Sequence, residues 1–281
     1  MGKTAAINRA MGHIKTPLVI FSDANTLLNE EAVRNIVKRF HDPKVGCVAG
    51  EKRIIIKTKE NATASGEGFY WRFESFIKTN ESIVASTMGA VGELFALRTE
   101  LFNPIPDNSI IDDFVISLTI ALNGYHIKYA PDAVASETAS LTIKDEMTRK
   151  VRIASGGFQT MVNMPQLFNI FRNGMLSFQF ISHKALRWTL VPFAFPALFI
   201  VNGIIAITSM DPHDFFTVFF YLQAFAYLLV LIGLVVKNIH TRLKFLFFPY
   251  YLMIMNLSQI LGLVKFLRGN HSVIWDKVKR Q

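Results

Sequence analysis

Leu18-Val19-Ile20-Phe21-Ser22-Asp23-Ala24-Asn25 is the stretch on which the fold turns. Four apolar residues in a row, with no polar alternation, read as a strand buried on both faces, as in a parallel sheet. Ser22-Asp23 then falls at the carboxyl end of that strand. Open α/β sheets bind ligands beyond such ends, so Asp23 is the first place to look for chemistry. Asp23 and Asn25 are alternate residues, and in an extended segment alternate side chains face the same way. Such a pair can hold a hard cation bound to phosphate oxygens, since Mg²⁺ takes one or two protein carboxylates plus substrate. The same residues also suit a plain turn.

Outward from this strand the chain alternates. Asn29 is expected to cap a helix with Glu30 and Glu31 in its first turn and Ala32, Val33, Ile36, Val37 and Phe40 at helical spacing. His41-Asp42-Pro43 stops it. Val45 to Ala49 reads as the next strand. Gly68 to Asn80 carries aromatics at helical spacing, Glu93 to Leu97 reads as a strand, Ile116 to Leu122 as a helix closed by Asn123-Gly124, and His126 to Tyr129 as a strand. This βαβ-like order predicts an α/β fold.

The C-terminal third has a different composition. Trp188–Met210, Phe215–Val236 and Phe245–Leu267 are apolar runs near the ~20 residues a helix needs to cross the hydrocarbon core. Lys184 and Arg187 precede the first run and Lys237, Arg242 and Lys244 follow the second, whereas the intervening Asp211 loop has no Lys or Arg. The positive-inside rule then places the soluble part in the cytosol. The third run holds Pro249, Asn256 and Gln259, which leaves open whether it crosses or re-enters. If it crosses, Lys277, Lys279 and Arg280 end outside, against the charge rule. Phe158 to Phe180 is too polar to span and suits either an interfacial amphipathic helix or a soluble core helix.

Composition bounds the rest. Across 281 residues the net charge is +9 and 51% are hydrophobic. Much of the positive charge flanks apolar runs, which points to anionic lipid rather than nucleic acid. The single cysteine, Cys47, excludes an internal disulfide and sits in an apolar run as a core residue. Met1-Gly2-Lys3 is not followed by a signal-peptide h-region.

Two more groups can carry chemistry. Asp112-Asp113 opens a helix, either as capping acids or with one carboxylate as general base on an acceptor hydroxyl. Arg149 and Arg152 share a helix face at i, i+3, suited either to a diphosphate or to anionic lipid. Gly2-Lys3-Thr4-Ala5-Ala6-Ile7-Asn8, Asp23-Ala24-Asn25, Gly92-Glu93-Leu94-Phe95-Ala96-Leu97-Arg98, Asp112-Asp113, Gly124-Tyr125 and Arg149-Lys150-Val151-Arg152 occur in that order before the apolar runs. That ordered set resembles the membrane-bound family-2 glycosyltransferases, such as the bacterial synthases of cellulose, hyaluronan and poly-N-acetylglucosamine.

The resemblance implies a GT-A-like, Rossmann-related α/β domain followed by transmembrane helices. It also implies inverting transfer from a nucleotide-sugar, a UDP-sugar by this resemblance, to a glycan or lipid-linked acceptor for surface polysaccharide. Asp23 and Asn25 match the family's Asp-x-Asp, which holds the diphosphate and Mg²⁺ or Mn²⁺; Asn25 replaces its second acid. Asp113 matches the catalytic base, with Asp112 beside it at the substrate. Arg149 and Arg152 match Gln-x-x-Arg-Trp, with Arg149 for the Gln and Ile153 for the Trp. Lys3 and Asn8 match the segment near the nucleotide. The family places a strand with an Asn-Glu turn and another nucleotide-binding Asp ahead of Gly-Lys, so the nucleotide half is expected to be incomplete here.

The expected organisation is a partial catalytic domain over 1–157, an interfacial region over 158–183 and a membrane region of two to three helices over 184–281. Membrane lipid and other subunits of a polysaccharide-synthesis complex are the further expected partners, and no nucleic acid is expected. The alternative is a catalytically inactive membrane remnant or subunit of such a complex.

Overall fold

A computed structural model describes residues 2–55, 62–138, 140, 142–209, 211–236 and 247–269. Helix α1 (Lys3–Met11) leads into strand β1 (Leu18–Ser22), then β2 (Leu27–Leu28), α2 (Ala32–Arg39), β3 (Val45–Ile55), α3 (Ala62–Val84), β4 (Leu94–Arg98), α4 (Asp112–Leu122) and β5 (His126–Thr138). The sheet order is β1-β4-β3-β5-β2. β3 and β5 pair in parallel, while β4 runs antiparallel to both β1 and β3. The sheet is therefore mixed, not parallel as the apolar run at Leu18 predicts. β1 has one partner strand among the described residues, and its apolar residues are half-buried.

The side-chain period of two splits the sheet into two faces. Cys47, Ala49, Phe95, Leu97 and Ile127 pack under α4 with Ile116, Leu118 and Ile120. Val45, Val48, Leu94, Ala96 and Ala135 pack against Ala32, Ile36 and Phe40 of α2. Cys47 is wholly buried, and burial pushes its thiol far above the usual range. Helix α2 starts later than expected, because Asn29 does not cap it. The Asn29 amide instead takes Val134 N–H at 2.8 Å and donates to Asp132 O, tying the loop to β5.

Helix α5 (Ile143–Asn163) runs unbroken through position 157. Gly156 and Gly157 lie inside it because neighbours come too close for a side chain: a Cβ on Gly157 would be 2.4 Å from the Trp188 ring. The region 158–183 is not one interfacial helix. Phe158 and Met161 belong to the main core, Pro165 opens a 3-10 turn, and Gly174, at φ +52, separates α6 (Ile170–Asn173) from α7 (Met175–Gln179). The apolar exposure lies later, at Phe171, Met175 and Phe178. A π-helical turn over Phe180–Ala185 and a short α8 (Leu186–Thr189) follow.

Helices α9 (Val191–Ser209), α10 (Phe215–Val236) and α11 (Phe247–Leu267) are each long and apolar enough to cross a membrane. α11 is continuous: Pro249 sits in its first turn, where a missing N–H costs no internal bond. It docks on α5 closely enough that a Cβ on Gly262 would be 2.4 Å from Ala154 Cβ. The charged loop at Lys237, Arg242 and Lys244, and the tail with Lys277, Lys279 and Arg280, lie outside the described residues.

Helix α3 is inside out. Glu67, Glu74, Lys78 and Glu81 are buried, whereas Phe69, Phe73, Phe76 and Ile83 are exposed.

Candidate active site

The turn Asp23–Thr26 closes by its own backbone and hydroxyls. Thr26 N–H and Oγ1 both donate to Asp23 O, at 3.2 and 2.7 Å, and Ser22 Oγ donates to Glu93 O at 3.2 Å. The Asp23 carboxylate is therefore not consumed as a turn former and points to Lys3, whose Nζ lies 3.4 Å from Asp23 Oδ1 and 3.2 Å from Asp112 Oδ2. Because Ala24 and Asn25 form a turn rather than a strand, Asn25 does not follow Asp23. Its amide nitrogen donates to Glu137 at 3.3 Å.

Asp112 and Asp113 stand in the first turn of α4, at its positive end, and neither side chain caps the helix. The Gly89–Glu93 loop brings Gly92 between them and β1. From the position a Gly92 Cβ would take, Asp113 Oδ2 is at 3.6 Å and Asp23 Oδ2 and Lys3 Nζ are both at 3.7 Å. Gly89 makes this loop possible: it sits at φ +88, and a Cβ there would be 2.2 Å from the Phe114 ring.

The electrostatics follow from burial and from this crowding. Burial and the Asp112 charge push Asp113 up to about 7, with Lys3 opposing them. Burial also raises Asp23, against the pull of Lys3. Lys3 pays a burial penalty that Asp112, Asp23 and Asp113 outweigh, so its ammonium is held above the usual range. Asp112 Oδ2 is buried, and Lys3 Nζ at 3.2 Å is its ionic partner.

The residues expected at the site divide. Lys3, Asp23, Asp112, Asp113, Arg149 and Arg152 line one cleft. Asn8 does not: its amide bonds Ile105 in both directions, at 2.8 and 3.1 Å, and holds the loop ahead of α4. Arg149 reaches the cleft, but its guanidinium is spent on a carboxylate cage of Glu67, Glu146 and Glu137. Arg152 donates to Ile110 O at 3.4 Å beside Asp112 and Asp113; burial lowers its pKa and the two carboxylates raise it.

Sequence reading missed the residues that complete the cleft. Lys52 on β3 pairs with Glu93 and with Glu137, and it is almost wholly buried. Tyr70, Trp71, Lys78, Lys150 and Arg187 form another wall. A lysine on the inward side of a buried strand was one visible signal for Lys52. The wall of α3 gave none, since its helical pattern is inverted.

A model of the glycosyl transferase family group 2 matches residues 18–239. The chain belongs to this family. Among curated proteins it is 27% identical over 166 residues to the poly-beta-1,6-N-acetyl-D-glucosamine synthase of Staphylococcus aureus and 24% identical to that of Staphylococcus epidermidis. Each alignment covers 57% of this chain and 40% of the relative, so this family-2 chain matches well under half of those relatives' length. Among solved structures, the mannosyltransferase PcManGT of Pyrobaculum calidifontis, in complex with GDP-Man and Mn²⁺, has a TM-score of 0.63 at 22% identity. That match covers 95% of this chain and 66% of the other. The GT-A-like fold of the family-2 glycosyltransferases is thus the fold of this domain.

Proposed function

We propose that the chain transfers a sugar, with inversion, from a nucleotide-sugar donor to a glycan or lipid-linked acceptor at the inner face of a cell membrane. The observation that carries this reading is the convergence of Asp23, Asp113 and Lys3 on Gly92. It sets a proton-accepting carboxylate beside groups suited to a diphosphate. The acceptor hydroxyl attacks the anomeric carbon from the face opposite the diphosphate. Asp113 takes the hydroxyl proton, the bond from anomeric carbon to phosphate oxygen breaks, and the nucleoside diphosphate leaves with the electron pair. A carboxylate near 7 suits this task, because it is ionised at working pH yet basic enough to take a proton.

The donors suit a divalent cation such as Mg²⁺ or Mn²⁺ that takes most of its ligands from the substrate's phosphates, since the described residues hold no cluster of three His, Cys, Asp or Glu. Asp23 offers a hard oxygen its own turn leaves unused, and Asn25 keeps an amide oxygen without a hydrogen bond among the described residues. Asp112 Oδ2, buried and 3.2 Å from Lys3 Nζ, is a further acceptor at the same place. Asp23 and Asn25 would hold the ion, which when bound offsets charge on the leaving diphosphate. Mn²⁺ accompanies GDP-Man in the mannosyltransferase of like fold, which supports this reading. Lys3 and Arg152 supply fixed positive charge toward the diphosphate, and Arg149 acts by holding the surrounding carboxylates.

The curated relatives are named for N-acetylglucosamine and the structural neighbour is in complex with GDP-Man, so the donors to try span both classes. The test is incorporation of radiolabel from a panel of UDP- and GDP-sugars in membranes carrying the chain, with and without Asp113→Asn. Full activity of that variant would overturn the base assignment. Calorimetric titration with UDP and Mn²⁺ separates an enzyme from an inactive remnant, which would not bind.

A further inference from the structure

The cleft has a second end that the transfer reaction leaves unexplained. Two adjacent rings of α3 are surrounded by cations: Lys52, Lys78 and Lys150 lie 4.8, 5.9 and 5.5 Å from the Trp71 ring, and Lys150 and Arg187 lie 4.1 and 5.9 Å from that of Tyr70. Most of these charges are compensated. Lys52 has Glu93 and Glu137, Lys184 and Arg187 share Glu74 at 2.6 and 2.8 Å, and Lys150 has Glu146 at 3.7 Å, which Arg149 also uses.

Lys78 is the exception. It is 4% exposed, lines the cleft, and has neither a carboxylate nor a hydrogen-bond acceptor among the described residues. Trp71 Nε1 is buried without an acceptor among the described residues. Both groups can only donate, and a donor left unpaired in a buried setting keeps its desolvation penalty. A ligand rich in acceptor oxygens and carrying negative charge would satisfy both. Burial lowers Lys184 to about 8; Glu74 opposes this, and Arg187 and Lys78 add to it.

The position of this wall indicates where such a ligand comes from. Lys184 and Arg187 immediately precede α9, the first of the helices able to cross a membrane. On α3, Phe69 meets Phe248 of α11 edge-on at 4.5 Å, so the outer side of this wall continues into a second such helix. An anion held by Lys184 and Arg187 would lie next to the start of α9.

We propose that Lys78, Trp71 Nε1, Lys150, Lys184 and Arg187 form an oxyanion subsite that takes the phosphate of a lipid-linked acceptor. The proposal rests on the transferase reading and names the acceptor's chemistry within it. The phosphate anchors the lipid carrier at one end of the cleft while the nucleotide-sugar occupies the Asp23 end.

The test is binding of farnesyl phosphate, farnesol and inorganic phosphate to the full chain in phosphatidylcholine nanodiscs, with UDP and GDP binding in Mn²⁺ measured in parallel. Farnesyl phosphate is expected to bind, farnesol not. Lys78→Gln should weaken farnesyl phosphate about tenfold, the loss of one charge-assisted hydrogen bond. Lys78→Arg should restore it, and nucleotide binding should stay unchanged in both variants, which also shows that they fold. Equal binding of farnesol, or no effect of Lys78→Gln, would overturn the subsite. Inorganic phosphate binding as tightly as farnesyl phosphate would make it a free-phosphate site and overturn the lipid assignment. Competitive displacement by UDP or GDP would assign it to the donor diphosphate instead. Absence of all nucleotide binding by the wild-type chain would count against the transferase reading, while the effect of Lys78→Gln on farnesyl phosphate would still decide the subsite.

Discussion

Glu93 and Asp113 are carboxylates of one cleft, and their surroundings drive them in opposite directions. Burial raises both. At Glu93 the Lys52 ammonium overrides burial and holds the group near 2, whereas at Asp113 the Asp112 charge adds to burial and Lys3 does not cancel it. Glu146 belongs with Glu93: burial would raise it, but Arg149 and Lys150 bring it to about 2. The compensated carboxylates form a framework around Lys52 and Arg149, and the undercompensated Asp113 is the one the proposed transfer uses as its base. A folded protein keeps a half-satisfied acid where a proton must move and completes the pairing where it must not.

The largest expected effect breaks the uncompensated side. Asp113→Asn should lower sugar transfer about 10²–10⁴-fold, the range for loss of a general base, with no loss of thermal stability. A matching drop in melting temperature would place Asp113 in the framework instead. Next is the compensated side. Arg149→Met leaves Glu67, Glu146 and Glu137 short of a partner and should cost about 3–5 kcal/mol of stability, read as a lowered thermal midpoint in detergent. An unchanged midpoint would show that the cage is dispensable.

Smaller is Gly157→Ala, which drives a methyl into Trp188 and should cost about 1–3 kcal/mol by overpacking. Wild-type stability would mean the α5–α8 contact yields easily. The finest test is pH. A base must be deprotonated, so kcat/KM should rise as pH increases through about 7 and level off above it. Asp112→Asn removes a like charge that raises Asp113 and should move that rising limb to lower pH. The framework should behave in the opposite sense. Glu93 and Glu146 have depressed folded values, so their contribution is full above the unfolded range near 4.5 and is lost as pH falls from there toward 2.

Much of this arrangement was legible before any coordinates, and for local reasons. Asp23 follows an apolar run, Asp113 opens a helix, and the three long apolar helices are defined by length and composition alone. Other features are non-local. Arg149 meets Glu67 across 82 residues, and Lys52 meets Glu93 across 41, so no spacing along the chain announces either pair. A turn at Ala24 and Asn25 replaces the extended alternation expected there, and the Asn25 amide nitrogen is drawn to Glu137. The Asn8 amide bonds Ile105 in the loop ahead of α4, a contact no local pattern announces. The mixed sheet was hidden because an apolar strand run states burial, not the direction of its neighbour.

Helix α3 has a practical consequence for anyone handling this protein. Its outer face presents Phe73 at 54% and Phe76 at 66% exposure, on the catalytic domain itself. Cutting the chain before α9 would remove the obvious membrane helices and still leave a sticky surface, besides stripping α11 from its seat on α5. Shortened versions made for crystallisation or solubility should therefore keep their detergent or lipid, and the aromatic outer face of α3 is the place to put charges if a water-soluble version is wanted.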